Sequence, residues 1–377
     1  MLMKIGIDAT AVPPKPMGAG LYILYLIREL ADLESDHVFV VFAQDYLKPF
    51  FANINSPHIT FRWVHSMHPA VRLLWEQTVF PGLIRREKLD LLHSPHYTMP
   101  LSKPVPQIVT YHDLIFFLYP EVHTREKRVF FPWMIRRSAR KADLIITDSD
   151  STKRDAAKLL DIPMGKMVTV PLGYQPVFEP IDDEKKLADV RDGYHLPDKF
   201  VLYVGAIEPR KRVPLLLKAF SRLVRKGYPH HLVIPGKPGW LVGDLGPLMD
   251  ELAVRERVAL LGYVPYEKLP AIYNLADCFV YPSVYEGFGL PPLEAMACGV
   301  PVITCNISSM PEVVGEAAIL VPPDDEDALV DAMVNVLENT SVRETLRAKG
   351  LARAGQFSWK KTAIETLALY EKVLSRS

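Results

Sequence analysis

Cysteine is scarce in this chain of 377 residues. Cys278, Cys298 and Cys305 make an odd count with no C-x-x-C pair, which argues against a disulfide framework or a cysteine zinc site and suits a reducing compartment. Long hydrophobic runs are missing too: none approaches the ~18 residues that cross a bilayer. The start of the chain, with Lys4 and Asp8 inside a short apolar stretch, lacks the core of a signal peptide. A cytoplasmic location, at most peripheral to a membrane, is the expectation. An excess of one charge is also lacking, since 44 Lys/Arg balance 44 Asp/Glu. That balance argues against a nucleic-acid partner. It is uneven along the chain, because residues 1–175 carry 21 basic and 17 acidic side chains and the rest carry 23 and 27. The first half is therefore better suited to an anionic surface. No G-x-S-x-G of a hydrolase occurs, and no Cys/His cluster for a transition metal.

Hydrophobic residues make up 49% of the chain and charged ones 23%, the composition of a folded protein. The length exceeds what one core supports, so two domains are expected. Short apolar runs at 4–10, 38–43, 59–64, 89–94, 107–112 and 143–147 read as strands. They show little alternation, as in strands buried on both faces. Helical patterns at 20–33 and 151–160 lie among them, and Ser151 and Thr152 read as N-caps of the second. Around 170–180 four residues, Pro171, Gly173, Pro176 and Pro180, punctuate the chain, and a charged run follows at 182–186, which reads as a linker. A second series has strands at 200–205, 231–235, 258–264, 278–282, 300–305 and 317–321. Helices at 214–226 and 291–297 belong to it, and a last helix at 359–374 follows. Such alternation predicts an α/β protein: two Rossmann-like, doubly wound parallel sheets. The expected domains are 1–175, 176–357 and a C-terminal helical segment 358–377. Ligands of such sheets bind at the carboxyl ends of the strands, so a cleft where two sets of ends face each other is the default site.

Four segments follow strands and carry chemistry. In the first, a Gly-rich loop with Glu286, Gly287, Phe288, Gly289 and Leu290 opens a helix containing Glu294, with Pro291 and Pro292 in its first turn and Gly299 past its end. Backbone amides at a helix start form an anion site, and the glycines admit close approach. The two carboxylates suit hydroxyls, so a ligand with both phosphates and sugar hydroxyls fits. The plainer alternative is that Glu294 complements the helix dipole and Glu286 is solvated. In the second segment, Gly205-Ala-Ile-Glu-Pro-Arg-Lys211, Arg210 and Lys211 sit between a strand end and a helix. Preorganised cations there would stabilise a leaving diphosphate, although such a pair is often just a solvated helix start. In the third, Gly18 and Gly20 flank Ala19, but Ile23 stands where a dinucleotide fingerprint has its third Gly. In the fourth, His112 ends a strand and is followed by Asp113, which could orient it; a lone histidine can equally be structural.

The run E-G-F-G-L-P-P-L-E-A-M-A-C-G-V-P-V-I from Glu286 resembles the E-x7-E signature of retaining glycosyltransferase family 4, and the resemblance extends over nearly the whole chain. It implies the GT-B fold, a central cleft, and a C-terminal helix crossing back to the first domain. It implies transfer of a hexose from a nucleotide diphosphate sugar to an acceptor hydroxyl with retention of configuration. No metal or other cofactor would be needed. Glu286 would meet the donor sugar and Glu294 the ribose. The amides of Phe288, Gly289 and Leu290 would meet the sugar and diphosphate. Arg210 and Lys211 would hold the diphosphate, the Gly18–Gly20 loop would close on it, and His112 would contact the donor sugar. Tyr263 and Val264 would rim the base pocket, though Tyr263 could equally be core. One departure stands out: many members carry Arg directly after the strand glycine, where this chain has Ala206. The motif variants look most like mannosyl- and other hexosyltransferases of polysaccharide or lipopolysaccharide assembly, which points to GDP-mannose, with UDP-glucose close behind. A nucleotide-sugar epimerase of the same fold, or a non-catalytic subunit of a glycan-assembly complex, are the rivals. Asp148-Ser-Asp150 matches a metal-binding D-x-D by letters but reads as helix-cap chemistry. The basic, aromatic stretch Arg125–Lys141 reads either as a surface helix with core aromatics or as a contact with an anionic membrane. The second reading would suit a lipid-linked glycan acceptor.

Overall fold

The computed structural model describes residues 2–237 and 243–375. Two compact units make up the chain: Met1–Gly173 with Ser358–Ser377, and Tyr174–Phe357. Each is a parallel sheet between helical layers.

In the first unit the strands are β1 (Lys4–Asp8), β2 (Val38–Gln44), β3 (Ile59–Val64), β4 (Leu91–Ser94), β5 (Gln107–Tyr111), β6 (Leu144–Thr147) and β7 (Met167–Thr169). They lie in the order β3-β2-β1-β4-β5-β6-β7, all parallel. The interior strands β4, β5 and β6 are buried at every residue, which explains their unbroken apolar sequence. On one face Val109 and Tyr111 pack with Ile135 and Ala139 of the Arg125–Lys141 helix and with Ala156 and Leu160. Val40 and Phe42 pack with Phe80 and Ile84 on a neighbouring part of the sheet. Elsewhere in this unit the C-terminal helix Trp359–Leu374 packs on the Ala19–Asp32 helix. Trp359 stacks on Tyr25 with ring centroids 5.3 Å apart, and the Tyr370 hydroxyl meets His93 Nδ1 at 2.7 Å. Gly173 makes the seat for this helix possible, since a Cβ there would lie 2.1 Å from the Trp359 nitrogen.

Two local expectations change. The second helix spans Asp150–Leu160, and its N-cap is Ser149, whose Oγ accepts from the Thr152 amide at 3.0 Å. Ser151 and Thr152 therefore stand inside the first turn rather than capping it. β7 is an added strand of three residues, too short for a hydrophobic pattern to reveal.

In the second unit the strands are β8 (Phe200–Leu202), β9 (His231–Pro235), β10 (Val258–Gly262), β11 (Cys278–Tyr281), β12 (Val302–Cys305) and β13 (Ala318–Val321). Their order is β10-β9-β8-β11-β12-β13, again all parallel. The first six strands of unit one and the six of unit two thus share one winding. The chain leaves the starting strand to one side and returns on its other side, so the switch point lies between β8 and β11, where ligands of open α/β sheets bind. The stretch read as a linker is stitched to this unit. Phe178 is buried against Tyr266 and Tyr273, and the Ile181 amide donates to Asn274 Oδ1 at 2.9 Å. The three cysteines are buried and free.

Candidate active site

The chain turns sharply after β8 and after β11, and these two turns meet at the switch point of the second unit. After β8, Gly205 adopts φ 146°, and residues Pro209–Lys211 form one 3-10 turn closed by Arg212 in the left-handed region. The Arg212 guanidinium pairs with both carboxylate oxygens of Asp324, at 2.7 and 3.2 Å. The turn aims Arg210 inward. Its guanidinium lies 2.9 Å from Glu208 Oε2 and 2.6 Å from Glu286 Oε1, and donates to the Tyr285 carbonyl at 2.7 Å. Lys211 is buried, with its ammonium 5.7 Å from the centre of the Tyr281 ring. Burial pulls its pKa below the usual lysine value, against the opposing influence of Glu286.

After β11, Glu286 is anchored from every side. Tyr281 and Ser283 donate to its Oε1 at 2.8 and 2.9 Å. Its backbone carbonyl accepts from Ser308 and Ser309 at 2.6 and 2.9 Å. Burial alone would raise its pKa, but the charges of Arg210 and Lys211 outweigh that and hold it below the usual carboxylate value. Gly289 then caps the helix Leu290–Ala297 with φ 121°, and a Cβ there would come 2.4 Å from the Met310 methyl. No residue but glycine suits that place. Pro291 and Pro292 carry no N–H, so the amide donors nearest the helix start belong to Gly289 and Leu290. Phe288 is buried, and its carbonyl accepts from Ser309 at 2.5 Å.

Glu294, inside this helix, has the opposite character. Its carboxylate accepts from the hydroxyls of Tyr266 and, at 3.4 Å, Tyr273. Burial pushes its pKa up to about 7 despite both bonds. The two carboxylates thus sit in opposite environments. Glu286 is a fixed anion among cations. Glu294 is a hydroxyl-bonding acid near half-protonation at neutral pH. Sequence reasoning missed Tyr266 and Tyr273, because no spacing ties them to Glu294. Val264 is buried, whereas Tyr263 is half-exposed with the Lys237 ammonium 4.9 Å over its ring, so Tyr263 is a surface residue and not core.

The remaining candidates lie in the first unit. Gly18, at φ 51°, caps the Ala19–Asp32 helix, and Gly20 sits buried in its first turn. His112 is buried, with Nδ1 2.8 Å from Asp148 Oδ2 and Nε2 3.2 Å from the Pro95 carbonyl. Both neighbours offer acceptor oxygens, so each ring nitrogen faces a site to which an N–H can donate. Burial would lower its pKa, but Asp148 raises it overall. Asp148, and not Asp113, therefore orients His112; Asp113 accepts instead from the Tyr97 hydroxyl at 2.7 Å and the Ile115 amide at 3.1 Å. The helix-cap reading of Asp148-Ser-Asp150 holds for Ser149 and not for Asp148. Ser149 is the cap, Asp148 partners histidine, and Asp150 accepts from Thr169 at 2.5 Å.

A second polar network, unseen in the sequence, lies past the ends of β1 and β4. His96 Nε2 meets Asp8 Oδ2 at 3.1 Å, and Arg72 donates to Glu76 at 2.8 Å. Thr98 also donates to Glu76, at 2.6 Å. Asp8, Glu76 and His96 offer atoms within 4.8 Å of one another, a spacing a metal ion could use. Here the Arg72 guanidinium already supplies positive charge. Burial would raise the pKa of Asp8, yet His96 and Arg72 hold it at about 2.

Two switch-point sheets of one winding, with cations and a buried carboxylate at the end of the second, are the architecture of the GT-B fold. Sucrose-phosphate synthase from Thermosynechococcus elongatus shares that fold, with a TM-score of 0.77 over the whole of both chains and 24% identity. A family model described as glycosyl transferases group 1 matches residues 190–353, and one described as glycosyltransferase family 4 matches residues 16–177. O-antigen chain mannosyltransferase B of Escherichia coli is 37% identical over 292 residues, which span 76% of each chain. Serotype-specific mannosyltransferase WbdA of Escherichia coli is 31% identical over 294 residues, spanning 76% of this chain and 36% of that longer protein. The chain belongs to the glycosyltransferases that join a family 4 first half to a group 1 second half, and is a glycosyltransferase.

Proposed function

We propose that the chain moves a hexose, mannose first and glucose second, from a nucleotide diphosphate sugar to an acceptor hydroxyl in polysaccharide, lipopolysaccharide or glycolipid synthesis. The observation that carries this reading is the meeting of Arg210, Lys211 and Glu286 beside the start of the Leu290–Ala297 helix. The relatives named above, both mannosyltransferases, support mannose and hence GDP-mannose.

The acceptor oxygen bonds to the anomeric carbon on the face from which the diphosphate departs, so configuration is retained. The bond from that carbon to the diphosphate oxygen breaks, and the leaving diphosphate takes the acceptor proton. Arg210, Lys211 and the helix start meet the growing negative charge, so no metal is required. Glu286 orients the hexose and Glu294 accepts from the ribose hydroxyls. In the first unit, His112 and the backbone of the Gly18–Gly20 loop are the groups assigned to the donor.

The acceptor is a glycan, lipid-linked in the version that places the enzyme on the cytoplasmic face of a membrane. Among the described residues no helix is long and apolar enough to cross one. The helix Arg125–Lys141 supports surface contact instead. It buries Met134, Ile135 and Ala139 and leaves Val129 and Trp133 exposed beside Arg128, Arg136 and Arg137. Salt-sensitive sedimentation with anionic liposomes, lost in Arg136→Glu/Arg137→Glu, is expected; no sedimentation removes this part of the proposal.

A thermal-shift panel of GDP-mannose, UDP-glucose, UDP-N-acetylglucosamine, GDP and UDP tests the donor, because ligands of the folded state raise its stability. GDP and GDP-mannose should give the largest shifts, and a panel with no shift at all rejects the reading. Product NMR tests retention.

A further inference from the structure

Arg210 carries two acids where a diphosphate clamp needs only one. Glu286 is held in place independently by Tyr281 and Ser283. Glu208 is different: its side chain is 25% exposed, and it reaches the other end of the guanidinium at 2.9 Å. Pro209 separates the two residues and stiffens the turn, so the pairing follows from the local backbone. The charges of Arg210 and Lys211 are thereby fully balanced by Glu208 and Glu286 before any ligand arrives.

On the reading that this site holds a nucleotide diphosphate sugar, we infer that Glu208 takes the place of a phosphate oxygen on Arg210 in the empty site and thereby speeds release of the nucleoside diphosphate product. Transfer converts a diphosphate diester into a terminal diphosphate, which carries more negative charge than the donor. The cations therefore grip the product harder than the substrate, and turnover needs a way to loosen that grip. A carboxylate on the same turn gives Arg210 a ready partner as the product leaves. It also repels the product while it is bound. Both effects need only the charge of Glu208. Its hydrogen-bond geometry would survive in Glu208→Gln, whose amide oxygen can still accept from Arg210.

Titration calorimetry with GDP and with UDP on the wild type, Glu208→Gln and Glu208→Asp separates the possibilities. Removal of one partly buried like charge near the diphosphate should make Glu208→Gln bind the preferred nucleotide roughly five-fold tighter. The gain should shrink at high salt, and product inhibition should strengthen by a similar factor. Glu208→Asp, which keeps the charge, should bind no tighter than wild type. Equal or weaker binding by Glu208→Gln, or tightening by Glu208→Asp to the same extent, overturns the inference while leaving the nucleotide-sugar reading intact. If wild type binds neither GDP nor UDP, that reading itself fails, and this inference with it.

Discussion

Glu294→Gln should make the ligand-free protein more stable and the enzyme worse. Burial among Tyr266, Tyr273 and the helix interior lifts the Glu294 pKa from the ordinary 4.5 to about 7. A raised folded-state pKa means that the protonated form carries the stability. That contribution is fully present below about pH 4.5 and is lost as pH rises through about 7. At 1.36 kcal/mol per unit, the shift corresponds to about 3 kcal/mol of destabilisation by the ionised carboxylate at pH 8. Glutamine removes the ionisation and keeps the shape. Its amide oxygen accepts from Tyr266, and its nitrogen can donate to Tyr273, whose hydroxyl can turn to the Pro291 carbonyl 3.4 Å away. The variant should melt roughly 3–8 °C above wild type at pH 8 and within a degree or so of it at pH 5. Ribose hydroxyls bound by a neutral amide instead of a carboxylate should cost about ten-fold in nucleotide affinity. Wild-type affinity itself should weaken as pH falls below about 7, because the ribose favours the ionised carboxyl. Scanning fluorimetry at the two pH values, with and without nucleotide, checks all of this. A variant that melts lower at pH 8, or gains equally at both pH values, refutes the reasoning.

Lys211→Ala should lower turnover by ~10²–10³-fold, as loss of one group stabilising the leaving diphosphate does, and unchanged turnover removes Lys211 from the site. Asp148→Asn removes the acidic partner of His112 Nδ1. The His112 ring should titrate lower by NMR, because Asp148 is what raises it, and turnover at neutral pH should fall with it. An unmoved titration would show that Asp148 does not raise it. Gly173→Ala forces a methyl group onto the Trp359 backbone, so unit one should lose roughly 2–3 kcal/mol, visible as a lower melting temperature and faster hydrogen exchange in the C-terminal helix. Unchanged exchange there would contradict the seating of the helix.

The sheets were readable because parallel strands buried on both faces leave unbroken apolar runs, as in β4, β5 and β11. β7 escaped because three residues hold no period. The loops around Arg210 and Glu286 were readable because glycine and proline mark the strand-to-helix turns that form them. Their mutual ion pair was not, since it depends on β8 and β11 lying side by side in space although 75 residues of chain separate them. Asp148 was misread for a related reason. A D-S-D-S-T run satisfies helix-cap chemistry locally, and only the pairing of β5 with β6 brings Asp148 to His112. The Asp8, Glu76 and His96 network likewise joins three distant segments through buried charge that no spacing announces.

The most direct measurement is a crystal structure with bound GDP-mannose or UDP-glucose. The diphosphate should lie against the backbone amides of Gly289 and Leu290 within hydrogen-bonding reach of Arg210 and Lys211, with Glu294 on the ribose and Glu286 on the hexose. A diphosphate bound away from Arg210 and Lys211, or a ribose that leaves Glu294 with its two tyrosines, would contradict the account.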